Sequence, residues 1–133
     1  MSAAPIGIIG GTGFGRIADI VESGRIEART TYGMPSGPVV QGTIAGRAVA
    51  FLARHGTPHR IAPHRVNYRA NIVALKDAGV REIVAINAVG GIADWASAGA
   101  IAAPAQLIDY THGRLSSFSD FEDLTVEHID FTD

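Results

Sequence analysis

The apolar residues of this chain fall into short runs, several of which end at glycines or polar residues. Ile6–Ile9 is a continuous apolar run before a glycine-rich loop. A run of this length is too short for a helix and predicts a buried strand. The runs Pro38–Ile44 and Arg47–Ala53 also predict strands. The two residues between them, Ala45 and Gly46, give these strands the spacing of a tight hairpin.

Helical periodicity extends from Val66 to Ala78. Its apolar residues recur on one side of a helix, and Gly79 follows in the position of a C-terminal cap. Arg81–Ile86 comes next as a β-branched run. A helix followed directly by a strand and a glycine turn predicts a crossover between parallel strands. We therefore expect an α/β fold with a mixed, partly parallel central sheet flanked by helices.

The remaining segments have weaker patterns. Residues 16–24 predict a brief helix, and Arg25–Tyr32 predicts a strand. Ala100–Asp109 is again apolar and predicts a strand with a proline at its start or edge. The chain then becomes acidic and ends without a closing helix. We therefore expect residues 1–133 to be the N-terminal part of a single domain that is truncated here.

Glycines and polar residues directly follow three of the predicted strands. The loop Gly10-Gly-Thr-Gly13 follows the first, Arg54-His55 follows the hairpin, and Asn87-Ala88 follows the last. Ligands of open α/β sheets bind at the carboxyl ends of the strands. Backbone N–H groups, a threonine hydroxyl and an arginine fork are all donors to phosphate. The three strand ends therefore predict one site for a small anion.

Each of these motifs also has a structural interpretation. The loop Gly10-Gly-Thr-Gly13 also suits a plain turn, Arg54-His55 a solvated pair at a strand end, and Asn87 a helix cap. A dinucleotide cofactor is disfavoured because Arg16 stands where the fingerprint requires glycine, and no acidic residue is placed for a ribose. No serine has the flanking glycines of a nucleophile elbow.

Composition argues against several classes of protein. The chain has no cysteine, which excludes disulfides, a thiol nucleophile and a thiolate metal site. His55, His59 and His64 match no closed ligand set in their spacing, so we expect no metal. The net charge is -2 and the eleven basic residues are spread along the chain, so we expect no nucleic-acid partner.

The charge content also bears on assembly. Charged residues make up 18% of the chain, against about 25% in soluble domains, so we expect another subunit to cover part of the surface. No apolar run approaches the length of a membrane helix, about 18 residues. The N-terminus lacks the organisation of a signal peptide. We expect a cytoplasmic protein that does not bind membranes.

Four motifs together resemble the methylthioadenosine phosphorylase branch of the purine nucleoside phosphorylases. They are Ile6-Gly-Ile-Ile-Gly-Gly-Thr-Gly13, Leu52-Ala-Arg-His-Gly56, Pro63-His-Arg-Val-Asn-Tyr-Arg-Ala-Asn71 and Asn87-Ala-Val-Gly-Gly91, in the family's order and spacing. Two segments, Asn87–Ile92 and Gln106–Thr111, are most similar to the bacterial members that act on S-methyl-5'-thioinosine. This resemblance covers the N-terminal part of the family only.

The resemblance implies a nucleoside phosphorylase fold and a transferase of purine salvage. Inorganic phosphate attacks the anomeric carbon of a 5'-deoxy-5'-methylthio purine nucleoside, S-methyl-5'-thioinosine by the subgroup similarity. The products are the purine base and 5-methylthioribose 1-phosphate. Phosphate is a co-substrate and no cofactor is needed. The alternative substrate class is that of a methylthioadenosine phosphorylase or a general purine nucleoside phosphorylase.

The resemblance also implies roles for single residues. Phosphate is bound by Thr12, Arg54, His55, the side chain of Asn87 and the backbone N–H of Ala88. His59 lies toward the phosphate and sugar, and His128 reaches the pocket of a neighbouring subunit in a homotrimer. The family's base-contacting residues follow later in its sequence, so we expect the 133-residue chain alone to be inactive. Two hypotheses of other classes stay open: an oxidoreductase-like nucleotide-binding module and a non-catalytic anion-binding or assembly fragment.

Overall fold

A computed structural model describes residues 3–15 and 17–119 of the chain. The chain divides into two units, residues 1–88 and 89–133. All helices and strands of the described residues belong to the first unit. No helix among the described residues combines the length and the apolar character that a membrane span requires.

Five strands form one mixed sheet in the first unit. The elements are β1 (Ile6–Gly10), β2 (Val21–Ile26), β3 (Val39–Ile44), β4 (Arg47–Ala53), α1 (Tyr68–Asp77) and β5 (Glu82–Ile86), with a short 3-10 helix at Pro63–Arg65. The strand order is β2-β3-β4-β1-β5. Strands β4, β1 and β5 are parallel, and β3 is antiparallel to both β2 and β4. The predicted mixed, partly parallel sheet is confirmed.

The hairpin between β3 and β4 has the predicted two-residue turn. Ala45 and Gly46 have φ angles of 48° and 78°. Positive φ at both central residues is the geometry of a type I′ turn, whose twist matches that of the flanking strands. Ile44 therefore pairs directly with Arg47.

Helix α1 begins and ends at capping residues. The side chain of Asn67 accepts a hydrogen bond from the backbone N–H of Ala70 at the start. At the end, Gly79 has a φ of 87° and donates to Lys76, while Val80 donates to the carbonyl of Leu75. These two bonds form the Schellman motif. The predicted helix is confirmed, and these caps set its bounds.

The core of the first unit includes residues from the sheet and from α1. Its buried cluster contains Ile9, Val39, Ala50, Leu52, Ala74, Leu75 and Val80. Leu52 and Leu75 are fully buried within it. Helix α1, which connects β4 to β5, thus packs its apolar side against the parallel part of the sheet.

The helix predicted over residues 16–24 is wrong. Residues 17–20 are not helical, and from Val21 the chain forms β2. This strand pairs with β3, with a register shift between Glu22 and Gly24 that is typical of a bulge. This pairing partner is distant in sequence, so local periodicity does not reveal it. Glu22 and Arg25 form an exposed ion pair of 2.6 Å, and the hydrogen bond from Arg25 lowers the pKa of Glu22.

Two other predicted strands also differ. Of the strand predicted over Arg25–Tyr32, only Arg25 and Ile26 lie in a strand, at the end of β2. Further along, Thr30 and Gly33 exchange backbone hydrogen bonds of 3.1 and 3.0 Å in a turn. Ala100–Asp109 forms no regular secondary structure. Its backbone pairs with no strand among the described residues, and Pro104 has no N–H to give.

Candidate functional site

Strands β4, β1 and β5 end at the same level of the sheet. Gly10, the last residue of β1, pairs with Ala53 of β4 and with Ile86 of β5. The ladder then continues by one residue, because the N–H of Arg54 donates to Gly10 (2.9 Å) and that of Gly11 donates to Ile86 (3.0 Å). The predicted convergence of three strand ends is confirmed.

The loop after β1 requires glycine because other groups approach its backbone closely. A Cβ atom on Gly10 would lie 2.1 Å from the carbonyl oxygen of Phe14. A Cβ on Gly11 would lie 2.6 Å from Nη2 of Arg54 and 2.6 Å from the carbonyl oxygen of Ile86. The guanidinium of Arg54 thus lies in the space that a side chain on Gly11 would occupy.

The same loop exposes Thr12 at its tip. Phe14 donates its N–H to the carbonyl of Gly11 at 3.0 Å, which closes a turn with Thr12 and Gly13 at its centre. Gly13 has a φ of 85°, as the third position of a type II turn requires. Thr12 is exposed two residues beyond the end of β1.

Two neutral groups hold the guanidinium of Arg54. Its Nε donates to Nε2 of His55 at 3.3 Å, and its Nη1 donates to Oδ1 of Asn87. These bonds use two of the five N–H groups of an arginine. Among the described residues Arg54 forms no ion pair with a carboxylate. The positive charge of Arg54 is therefore not neutralised by these residues, and N–H groups remain for an anion.

His55 is buried, and both its ring nitrogens have partners. Nδ1 lies 2.7 Å from the carbonyl oxygen of Ile61, and Nε2 accepts from Arg54. The backbone carbonyl of His55 also accepts from the N–H groups of Arg60 and Ile61, both at 2.9 Å. The ring thus has no free nitrogen for a ligand, and the contact between His55 and phosphate stays a prediction.

The other predicted site residues are less enclosed. Asn87 and Ala88 are exposed just beyond β5, and Nδ2 of Asn87 lies 3.4 Å from the carbonyl oxygen of Ala85. The exposed ring of His59 stacks on that of His55, with 4.4 Å between ring centroids. His128 lies outside the described residues. The roles of these residues in binding stay predictions.

Sequence reasoning missed a buried polar contact behind the site. Asn71 of α1 accepts from the N–H of Ser36 (2.7 Å) and donates to the hydroxyl of Ser36 (3.0 Å). One turn earlier, Asn67 donates to the carbonyl of Tyr32 (2.7 Å). The sequence signal for these contacts was the spacing of the two asparagines, because residues four apart lie on the same side of a helix.

This contact supports the loop that carries the site. A Cβ on Gly56 would lie 3.2 Å from the carbonyl oxygen of Ser36, so the segment held by Asn71 packs directly against the residue after His55. Gly56 has a φ of 74°, which favours glycine on conformational grounds as well. Asn71 is therefore connected to the residue after His55 through Ser36.

Metal chemistry has no evident ligand set in the part of the chain that is described. Among residues 3–15 and 17–119, no three histidine, aspartate or glutamate side chains gather closely enough to hold a metal ion. The donors at the strand ends are N–H groups and a hydroxyl. Such donors fit an anion rather than a cation.

Comparison with known proteins identifies the family of the chain. The phosphorylase superfamily matches residues 5–133. The chain belongs to this family. A probable S-methyl-5'-thioinosine phosphorylase of Xanthomonas campestris pv. campestris is 48% identical over 126 residues, which cover 95% of this chain and 50% of that protein. The S-methyl-5'-thioadenosine phosphorylase of Saccharolobus solfataricus is 45% identical over 130 residues, which cover 98% and 47%.

A solved phosphorylase structure also matches the fold. Methylthioadenosine phosphorylase from Schistosoma mansoni in complex with adenine superposes with a TM-score of 0.59 at 42% identity, over 62% of this chain and 30% of that one. The resemblance predicted from the four motifs is confirmed. The chain spans about half the length of the curated relatives it matches.

Proposed function

We propose that the whole protein catalyses the phosphorolysis of a 5'-deoxy-5'-methylthio purine nucleoside, with S-methyl-5'-thioinosine as its preferred substrate. The observation that carries the proposal is the guanidinium of Arg54, which is held by neutral acceptors where three parallel strands end. The identity of 48% to a probable S-methyl-5'-thioinosine phosphorylase supports the choice of substrate.

In this reaction a phosphate oxygen forms a bond to the anomeric carbon, and the bond from that carbon to the purine nitrogen breaks. The base leaves with the bonding electrons and is then protonated, and 5-methylthioribose 1-phosphate is the other product. The transition state has oxocarbenium character at the sugar. A phosphate dianion held beside it supplies both the nucleophile and a stabilising negative charge.

The residues of this chain would bind and orient the phosphate. Arg54 supplies charge-assisted N–H donors, and the Thr12 hydroxyl and the backbone N–H groups of His55 and Ala88 add neutral ones. Asn87 contacts Arg54 and contributes its amide to the same edge. None of these groups forms a bond to carbon in the reaction. Their contribution is to fix the nucleophile before the sugar reacts.

We further propose that the protein works as a homotrimer in the cytoplasm and needs no metal or organic cofactor. The low charged fraction, 18%, supports subunit association, because less of the surface requires solvation. The absence of cysteine is compatible with a reducing compartment. We also propose that His59 lies toward the phosphate and sugar.

The test is purine release by the purified whole protein, with and without phosphate. We expect release to depend on phosphate, 5-methylthioribose 1-phosphate to appear by mass spectrometry, and kcat/KM to be higher for 5'-methylthioinosine than for 5'-methylthioadenosine. Release without phosphate would mean hydrolysis, and no release would favour a non-catalytic anion-binding role. Preference for the adenine nucleoside would leave phosphorolysis intact and correct the substrate to that of the Saccharolobus solfataricus relative.

A further inference from the structure

We propose that the ring of His55 is a positioning group for Arg54 and does not itself bind the anion. Its neutral Nε2 accepts a hydrogen bond from Arg54 and so aims the guanidinium toward phosphate. The inference rests on the proposed function in taking phosphate as the ligand of Arg54. In this role the His55 ring is neutral and accepts a hydrogen bond, whereas an imidazolium in contact with phosphate would be positively charged and would donate one.

The hydrogen-bond partners of the ring determine its tautomer. A carbonyl oxygen only accepts, so the 2.7 Å contact between Nδ1 and the carbonyl of Ile61 requires the proton on Nδ1. Arginine Nε only donates, so the 3.3 Å contact with Arg54 requires a lone pair on Nε2. Both contacts are made only by the neutral Nδ1–H tautomer. The Ile61 carbonyl thus sets the state in which His55 accepts from Arg54.

A neutral acceptor has an advantage over a carboxylate at this position. A carboxylate would hold the guanidinium more strongly but would offset the charge that attracts the anion. His55 and Asn87 hold two of its donors without adding negative charge. Gly11 leaves the space for Nη2 on another side. Because His55 is only 5% exposed, water cannot readily replace its ring as the acceptor.

Protonation of His55 would reverse this arrangement. Nε2 would become a donor facing the N–H of Arg54, and a second positive charge would lie beside the guanidinium. The charged or titratable groups that contact the ring among the described residues are Arg54 and the stacked ring of His59. We therefore expect anion binding to weaken when His55 is protonated, whereas an imidazolium that bound the anion directly would strengthen it.

Two isosteric variants separate the two hydrogen bonds of the ring. In His55→Gln the amide oxygen can occupy the place of Nε2, so the acceptor for Arg54 is kept and the bond to Ile61 is lost. In His55→Asn the amide nitrogen can occupy the place of Nδ1, so the bond to Ile61 is kept and the acceptor for Arg54 is lost. Both variants remove one internal bond, so loss of stability alone does not distinguish them.

Sulfate binding to the whole protein, measured by calorimetry at neutral pH, is the test. We expect His55→Asn to weaken binding by about tenfold or more, the equivalent of one hydrogen bond to a charged group. We expect His55→Gln, which keeps the acceptor for Arg54, to weaken binding clearly less than His55→Asn does. Equal weakening in both variants, or no change in His55→Asn, would overturn the proposal. Sulfate binding requires no turnover, so failure of the proposed reaction is detected separately by the phosphorolysis assay on the wild type.

A second measurement applies even where His55→Asn does not fold. The 15N chemical shifts of the His55 ring in the wild-type protein report which ring nitrogen carries the proton. With sulfate bound, we expect the proton on Nδ1 and a lone pair on Nε2. A proton on Nε2 in that complex would overturn the positioning role.

Discussion

Replacement of Gly11 by alanine tests whether the glycine is needed to leave space for the guanidinium of Arg54. The new Cβ would lie 2.6 Å from Nη2 of Arg54 and 2.6 Å from the carbonyl oxygen of Ile86. That carbonyl accepts from the N–H of Gly11 itself at 3.0 Å, within the strand ladder, and so has little freedom to move. The guanidinium is the group that can shift, and it would leave the acceptors that hold it.

The expected magnitude follows from these contacts. Overpacking at a closely packed position costs about 1–3 kcal/mol of stability. A displaced guanidinium would lose a charge-assisted bond to phosphate, about 1.5–3 kcal/mol, which is about a 10- to 150-fold weaker affinity. We therefore expect Gly11→Ala to raise the KM for phosphate by that factor and to change the KM for the nucleoside much less.

Gly15 supplies a matched control in the same loop. A Cβ there would meet no heavy atom within 4 Å, and its backbone has no positive φ. Gly15→Ala should therefore keep the wild-type melting temperature and phosphate KM in steady-state phosphorolysis. Wild-type phosphate kinetics in Gly11→Ala would refute the role of Gly11 in leaving space for Arg54. An equal rise in phosphate KM in both variants would refute it as well.

Two further predictions concern single side chains. Arg54→Ala should weaken phosphate binding in calorimetry by about 1.5–3 kcal/mol, and an unchanged affinity would remove Arg54 from the site. Asn71→Leu should lower the free energy of unfolding by about 2–4 kcal/mol in urea, because it leaves the buried N–H and hydroxyl of Ser36 without partners. The double variant with Ser36→Ala should recover part of that loss, and strictly additive losses would argue against the direct contact.

The sequence carried enough local information to predict the parallel strand ends. The apolar runs before Gly10, Arg54 and Asn87 each stop at a glycine or polar residue, and helix α1 between two of them requires a crossover. The register that aligns Gly10 with Ala53 and Ile86 was not readable, because it depends on pairing between strands distant in sequence.

The unpredicted features have the same origin in long-range contacts. β2 was missed because its backbone partner is β3, and the bulge after Glu22 obscures the alternation along it. The hydrogen bond of the His55 ring depends on the Ile61 carbonyl, which a turn of the following loop brings to 2.7 Å from Nδ1. The contact between Asn71 and Ser36 joins residues 35 positions apart. Residue type alone indicates that such groups need partners, and only the fold determines which partners they have.

A crystal structure of the whole protein with bound phosphate tests the central claim most directly. We expect phosphate at the carboxyl ends of β1, β4 and β5, with its oxygens about 2.7–2.9 Å from N–H groups of Arg54 and with Thr12 and Ala88 as further donors. Nε2 of His55 should still accept from Arg54 in that complex. Phosphate bound at another edge of the sheet, with the guanidinium of Arg54 turned away from it, would contradict the account.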